Sequence, residues 1–249
     1  AAHKRAMQAC KPGMFEYQIE AELIHEFMQK GARSAAYTSI VGGGANSCIL
    51  HYTDNNAELV DGDVLLIDAG AEYESYASDI TRTFPVNGVF TEAQRQIYEV
   101  VLSAQDAAIE AVQPGNHWNE PHEAAVLAIT EGLVSLGILK GRVRTLIKDH
   151  AYSKYYMHRT GHWLGMDVHD VGDYKVDGEW RMLESGMVLT IEPGLYMAPN
   201  RGLAKKWWDI GVRIEDDVLV TKTGYDVLSK DMPKSIEDIE ALMAVGNAA

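Results

Sequence analysis

The sequence predicts an α+β protein built from two similar halves, and three observations carry that reading. The first is a pair of apolar, β-favouring segments that each hold one acidic residue. Val64-Leu65-Leu66-Ile67 leads to Asp68, and Ile80 to Phe84 follows Asp79 as its hairpin partner. The second is the return of this design further on. Met187-Val188-Leu189-Thr190-Ile191 ends in Glu192, and Gly211-Val212-Arg213-Ile214 ends in Glu215. The third is a weak internal repeat, in which Gly62 to Gly70 matches Gly186 to Gly194. Each half runs helix, Pro-Gly, helix, His-bearing segment and two acidic strands. The halves divide near residues 1–112 and 113–249 of a single domain. A pseudo-twofold axis between them would bring the two acidic hairpins face to face.

Residues 1–30 read as helical with a break at Lys11-Pro12-Gly13-Met14. Beyond it Ile19, Leu23, Ile24 and Phe27 recur at helix spacing, and Gly31 suits a C-cap. No cap residue precedes the first helix, so an upstream part of the protein is expected to be missing. Residues 36–52 alternate β-like and glycine-rich pieces around Gly42-Gly43-Gly44. Without a following Lys-Ser/Thr or a helix pattern, this is a loop at the edge of a site rather than a phosphate cradle. Asn55 to Gly62 is a polar connector. Residues 91–114 predict a long helix capped by Thr91, with Ile97, Val100, Val101, Ala104, Ala108 and Val112 on one face. Gln113-Pro114-Gly115 breaks it, and helical spacing resumes over 120–136. Residues 140–157 are mixed and basic and support no assignment. Arg201 to Asp209 reads as an exposed loop. A last helix spans Ser235 to Ala244, capped by Ser235, and Val245 to Ala249 reads as an unstructured tail.

At 249 residues the chain is long enough to bury a substantial core, and 47% hydrophobic with 23% charged residues is a soluble globular composition. No apolar run approaches the roughly 20 residues that span a bilayer, and His3-Lys4-Arg5 leads into no signal-peptide core. A membrane partner is therefore not expected. A formal charge of −14 argues against nucleic acid and favours substrates with a positive end. Cys10 and Cys48 give no disulfide framework, which fits cytoplasmic thiols.

A carboxylate inside a strand is costly to bury unless it is paired, hydrogen-bonded or bound to metal. Two on neighbouring strands repel unless a cation lies between them. Taken singly, Asp68 before a glycine could be a turn, Glu215-Asp216-Asp217 a solvated strand end, and His162 a satisfied core histidine. Jointly, Asp68, Asp79, Glu192, Glu215 and a histidine from His158 to Gly165 or His169 make an oxygen-rich set for hard or borderline divalent ions. Shared carboxylates suit two metals.

These segments carry a resemblance. Ile67-Asp68-Ala69-Gly70, Ser78 to Phe84, His158 to Gly165, Asp167-Val168-His169-Asp170, Thr190 to Gly194 and Arg213 to Asp217 resemble the motif series of the pita-bread metallopeptidases. Within that family, Ile40 to Gly44 followed by Cys48-Ile49-Leu50-His51-Tyr52 is similar to the catalytic domain of the bacterial aminopeptidase P (Xaa-Pro aminopeptidase) branch. The resemblance implies a pita-bread fold around a dinuclear centre. Asp68 and Asp79 would lie on one metal, and Asp79, His162, Glu192 and Glu215 on or bridging to the other. It implies Mn²⁺ as the common metal, with Co²⁺ or Zn²⁺ as alternatives. Two such cations lower the pKa of a shared water and polarise the scissile carbonyl.

The implied substrates are peptides with proline second, and Glu192 is the implied proton shuttle to the leaving prolyl nitrogen. His51, His158 and His169 would hold substrate and stabilise the tetrahedral intermediate. Arg213 would orient Glu215 and Asp79, and Tyr196 would line the pocket. Arg159, where relatives usually have Gly, and Gly161, where they often have Ser, depart from the pattern. Relatives also carry an N-terminal domain that this chain lacks, which weakens the implied homo-oligomer. Prolidase (Xaa-Pro dipeptidase) shares nearly every motif, whereas methionine aminopeptidase differs around the histidines and final glutamate. A metal-free pita-bread binding module is the alternative from another class.

Overall fold

The computed structural model describes residues 1–247. In chain order the elements are α1 (Ala2–Ala9), α2 (Glu16–Gln29), β1 (Ser34–Ala35), β2 (Ile40–Gly43), β3 (Val64–Asp68), β4 (Ala71–Glu72), β5 (Thr81–Pro85) and α3 (Glu92–Glu110). Then follow α4 (Glu120–Ser135), α5 (Val143–Lys148), β6 (Lys175–Val176), β7 (Glu179–Trp180), β8 (Val188–Ile191), β9 (Gly194–Tyr196), β10 (Gly211–Arg213), β11 (Asp216–Val220), β12 (Tyr225–Val227) and α6 (Ile236–Asn247). Mixed helix and sheet content bears out the α+β expectation.

Two three-stranded antiparallel sheets form the centre, ordered β2-β3-β5 and β12-β11-β8. The repeat read from the sequence is visible in them. β3 and β8 occupy its matching positions, and the glycines that start each copy, Gly62 and Gly186, both have positive φ (88° and 101°). Glycine turns the chain there without the Cβ clash of other residues. β10 stitches the sheets together along β5. The Glu215 amide donates to Thr81 O at 3.1 Å, and Thr83 Oγ1 meets both the carbonyl and amide of Arg213.

Val64 to Ile67 are buried throughout, because strands covered on both faces read as continuous apolar runs rather than alternating ones. The helices cover them. In α3, Thr91 caps as expected: its side chain accepts from the Gln94 amide while Gln94 reaches back to the Thr91 amide. Ile97, Val101, Ala104 and Ala108 form its buried face, and α4 packs along it. In α2 the buried stripe is Ile19, Leu23 and Phe27; Ile24 lies off it and is exposed.

Three further expectations change. Arg201 to Asp209 is not an open loop. Leu203 and Trp207 are buried, Lys206 Nζ lies 4.2 Å from the Trp207 ring centroid, and Trp208 Nε1 donates to Leu203 O. Burying a tryptophan outweighs the local charge. The unassigned stretch 140–157 holds α5, which buries none of its residues, and a turn entered through His150 at φ 52°. Val245 to Asn247 continue α6, whose start is capped by Ser235 accepting from the Asp238 amide, and residues 248–249 lie outside the described residues. No helix among the described residues is long and apolar enough to cross a membrane.

Candidate metal centre

The predicted acidic residues all lie at strand ends on the seam between the sheets. Asp68 closes β3, Asp79 precedes β5, Glu192 follows β8, and Glu215 stands between β10 and β11. The histidine segment joins them by running beside β8. Glu192 N donates to Thr160 O (2.7 Å), Thr190 N to His162 O (3.0 Å) and Leu164 N to Val188 O (3.1 Å). Gly161 permits this approach, since a Cβ there would sit 1.9 Å from Thr190 O. His162 is thereby set next to Glu192 and across from Asp79.

His162 Nδ1 donates to Trp163 O at 3.0 Å, because a carbonyl can only accept. Its Nε2 is left facing Asp79 Oδ2 (3.3 Å) and Glu192 Oε1 (3.7 Å). This is how ligating imidazoles are usually oriented. Asp79, His162 and Glu215 each offer a ligand atom within 4.8 Å of the others. Tyr37 Oη lies 2.5 Å from both Asp68 Oδ1 and Asp79 Oδ1, so one hydroxyl proton serves two carboxylates.

Arg213, expected on Glu215 and Asp79, holds Asp68 instead. Its Nη2 donates to Asp68 Oδ2 at 2.6 Å and its Nη1 to Tyr196 Oη at 2.8 Å. The reason is register: Thr81 pairs with Asp68 across β3 and β5, and Arg213 reaches over it from β10. Glu215 is served indirectly, by Thr81 Oγ1 donating to its Oε2 at 2.6 Å while accepting from Arg213 Nε at 3.2 Å. Tyr196 Oη also lies 2.8 Å from His158 Nε2, and His158 Nδ1 donates to Arg159 O. Asp68, Arg213, Tyr196 and His158 thus form one chain of contacts.

Burial makes the crowded charges costly. It pushes Glu192 up to about 8 against the pull of His162 and Arg213. Asp79 rises to about 6 through burial and the Asp68 charge, and Glu215 rises well above its ordinary value through burial and then Asp79, Glu192 and Asp68. Burial opposes ionised Asp68 as well, but Arg213 and Tyr37 hold it below the usual carboxylate range. His162 is lifted to about 9: burial works against its charge, and Asp79 and Glu192 outweigh burial. His158 is the opposite case, lowered to about 3 by burial and Arg213.

Nine of the ten predicted residues line one cavity of about 530 Å³: His51, Asp68, Asp79, His158, His162, His169, Glu192, Arg213 and Glu215. Tyr196 stands behind it, reached through His158 and Arg213. His169 packs edge-on against His162, ring centroids 4.4 Å apart. Sequence reasoning missed Tyr37, for which a lone tyrosine in a Ser/Ala-rich stretch gives no signal. It also missed the aromatic wall of Trp118, Tyr174 and Trp180. The donor set fits divalent cations: four carboxylates and one oriented imidazole crowd together, with one guanidinium in contact with one of the four.

The sequence profile of metallopeptidase family M24 matches residues 1–222. The chain is 54% identical to the Xaa-Pro aminopeptidase of Haemophilus influenzae, over 97% of this chain and 56% of that protein. For the Xaa-Pro aminopeptidase of Escherichia coli the values are 53%, 97% and 55%. Aminopeptidase PepP of Pseudomonas aeruginosa superimposes with a TM-score of 0.99 at 59% identity, over 100% of this chain and 56% of that one. The chain therefore spans little more than half the length of these relatives. Its fold is the pita-bread α+β fold, and the chain belongs to metallopeptidase family M24.

Proposed function

We propose that this chain is the catalytic part of a metal-dependent aminopeptidase that hydrolyses the bond between an N-terminal residue and a following proline. The observation that carries the reading is the convergence of Asp68, Asp79, His162, Glu192 and Glu215 on one cavity, with three of their ligand atoms within 4.8 Å of one another. Asp68 and Asp79 would hold one divalent ion. Asp79, His162, Glu192 and Glu215 would hold or bridge the other, with Mn²⁺ as the proposed occupant. When bound, such ions supply Lewis acidity toward the scissile carbonyl and lower the pKa of water at the site.

The chain's own residues do the rest. Glu192 lies between His162 Nε2 and His158 Nδ1 (3.7 and 3.9 Å), where it takes a proton from the attacking water and returns it to the prolyl nitrogen. Burial keeps His158 neutral, and its Nδ1–H, resting on Arg159 O, is the donor that turns to the developing oxyanion. His51 and His169 hold the substrate from the cavity walls, and Arg213 with Tyr196 fixes Asp68 and His158. An imide nitrogen has no N–H, so the leaving side need only accept a ring and a carbonyl. The free thiols of Cys10 and Cys48 support a cytoplasmic setting. Division into halves near residue 112 is part of the same reading.

The test is hydrolysis of matched Xaa-Pro and Xaa-Ala peptides before and after exhaustive chelation. Xaa-Pro cleavage alone, lost with the metal, is expected. Chelation without effect overturns metal dependence, and equal cleavage of both peptides overturns proline specificity. An Xaa-Pro dipeptide cleaved in preference to longer peptides would shift the reading to prolidase.

A further inference from the structure

Arg159 is left unused by the reaction described above. Its side chain lines the same cavity as the carboxylates and is exposed there. Four arginines of this chain are paired with acids: Arg5 with Glu22, Arg82 with Asp216, Arg95 with Glu240 and Arg213 with Asp68. Arg159 is not, for no ion pair among the described residues includes it. Both its contacts are neutral. One guanidinium nitrogen donates to Asn119 Oδ1, and its Cζ lies 5.3 Å from the centroid of the Trp180 ring. A second cation shares that ring, with Lys175 Nζ 4.3 Å from the same centroid.

These contacts aim the guanidinium without cancelling its charge, in a chain whose net charge is −14. The cavity consequently offers both signs of charge, crowded carboxylates and a held guanidinium that enters no ion pair among the described residues. A zwitterionic peptide carries the complementary charges, an amine for the carboxylates and a carboxylate for the guanidinium. The backbone ties Arg159 to the reaction residues as well, since the Arg159 carbonyl is the group on which His158 Nδ1 rests.

We propose that Arg159, steadied by Asn119 and Trp180, is a specificity residue that binds the free C-terminal carboxylate of short Xaa-Pro peptides. The inference rests on the proposed peptidase reading and adds to it a preference for short, unblocked substrates. Guanidinium suits this task because its planar fork matches a carboxylate with two parallel hydrogen bonds. Its exposure limits the gain to the range of solvent-accessible ion pairs, up to about fivefold in KM.

The experiment compares an Xaa-Pro-Xaa tripeptide with its C-terminal amide, equal in length and lacking only the charge. Kinetics are measured for the unaltered chain, Arg159→Gln and Arg159→Lys, with thermal melts confirming that each is folded. The expected result is a KM about fivefold lower for the acid, a ratio that falls to about one in R159Q, is partly kept in R159K and shrinks with added salt, while the acid-to-amide ratio of kcat stays flat. Equal KM values in the unaltered chain, or an unchanged ratio in R159Q, overturn the inference and leave the peptidase reading standing. If neither acid nor amide is cleaved by the metal-loaded chain, the peptidase reading falls and the inference with it.

Discussion

Two buried arginines on neighbouring strands each hold an aspartate, and they serve opposite ends. Arg82 on β5 donates to Asp216 at 2.7 Å, to the carbonyls of Thr81 and Glu215, and to Pro233 O and Met232 O. Asp216 in turn accepts from Ser229 Oγ and Gln105 Nε2. Neither side chain reaches solvent, and each carries its full set of partners. Arg213 on β10 donates to Asp68 at 2.6 Å, but Asp79, Glu192 and Glu215 crowd the same space with only the His162 ring, 3.3 Å from Asp79 and 3.7 Å from Glu192, to offset them. The pair with balanced charge and no cavity is a staple between β5, β11, α3 and the approach to α6. The pair with surplus negative charge and a cavity is the site. A buried ion pair alone is weak evidence for either role, and the local excess of charge is what separates them.

The largest expected effect falls on the surplus side. Asp79→Ala removes the carboxylate that faces His162, Tyr37 and both proposed metal positions. Bound metal and Xaa-Pro hydrolysis should fall together, and the rate loss should exceed the roughly 10²–10³-fold typical of one lost transition-state donor. It should also exceed the loss in Asp68→Ala, which touches one metal. Elemental analysis beside kcat checks both. On the balanced side, Arg82→Ala should destabilise the fold by about 3–5 kcal/mol in urea unfolding, since it strands a buried carboxylate. A cost under about 1 kcal/mol would mean that Asp216 finds another partner.

Tyr37→Phe tests the boundary between the two behaviours. The hydroxyl shared by Asp68 and Asp79 should be worth about 10–100-fold in metal affinity, with little change in the urea midpoint. A large stability loss with unaltered metal binding would make Tyr37 part of the staple. The smallest effect is in pH. Arg82 and its neighbours outweigh burial and hold Asp216 below the usual carboxylate range, so its stabilising contribution is complete above about pH 4 and is lost as pH falls through the depressed folded value. The stability gap between the unaltered chain and Asp216→Asn should therefore be flat above about pH 5 and narrow below pH 4. A gap that widens on acidification would contradict the assignment.

The staple and the site differ as much in how legible they are. Asp68, Asp79, Glu192 and Glu215 stand out in the sequence because each interrupts or ends an apolar strand, and strand context is local. The Gly62 and Gly186 repeat is local too, and it located β3 and β8. Asp216 and Asp217 carry no role of their own in the sequence beyond their place in the Arg213 to Asp217 motif, which leaves a solvated strand end open for them; both are buried. Arg82 and the Asp79 amide, which accommodate them, come from the other half of the chain. Tyr37 and Trp180 belong to the same class. Their roles depend on what folds against them, and neither periodicity nor spacing records that. The changed partner of Arg213 has the same origin: the family resemblance implies Glu215 and Asp79, and the register of β3 against β5 brings it to Asp68 instead.

The central claim is that surplus carboxylate charge around His162 marks a two-metal centre, and metal content in three histidine variants tests it most directly. The unaltered chain, His162→Ala, His158→Ala and His169→Ala would be loaded with Mn²⁺, freed of excess ion, and assayed by elemental analysis alongside kcat on one Xaa-Pro peptide. The account predicts two metals per chain in the unaltered protein and less metal with less activity in H162A. H158A and H169A should keep both metals while their rates fall by roughly 10²–10³. Full metal content in H162A, together with a lost metal in H158A or H169A, would contradict the account.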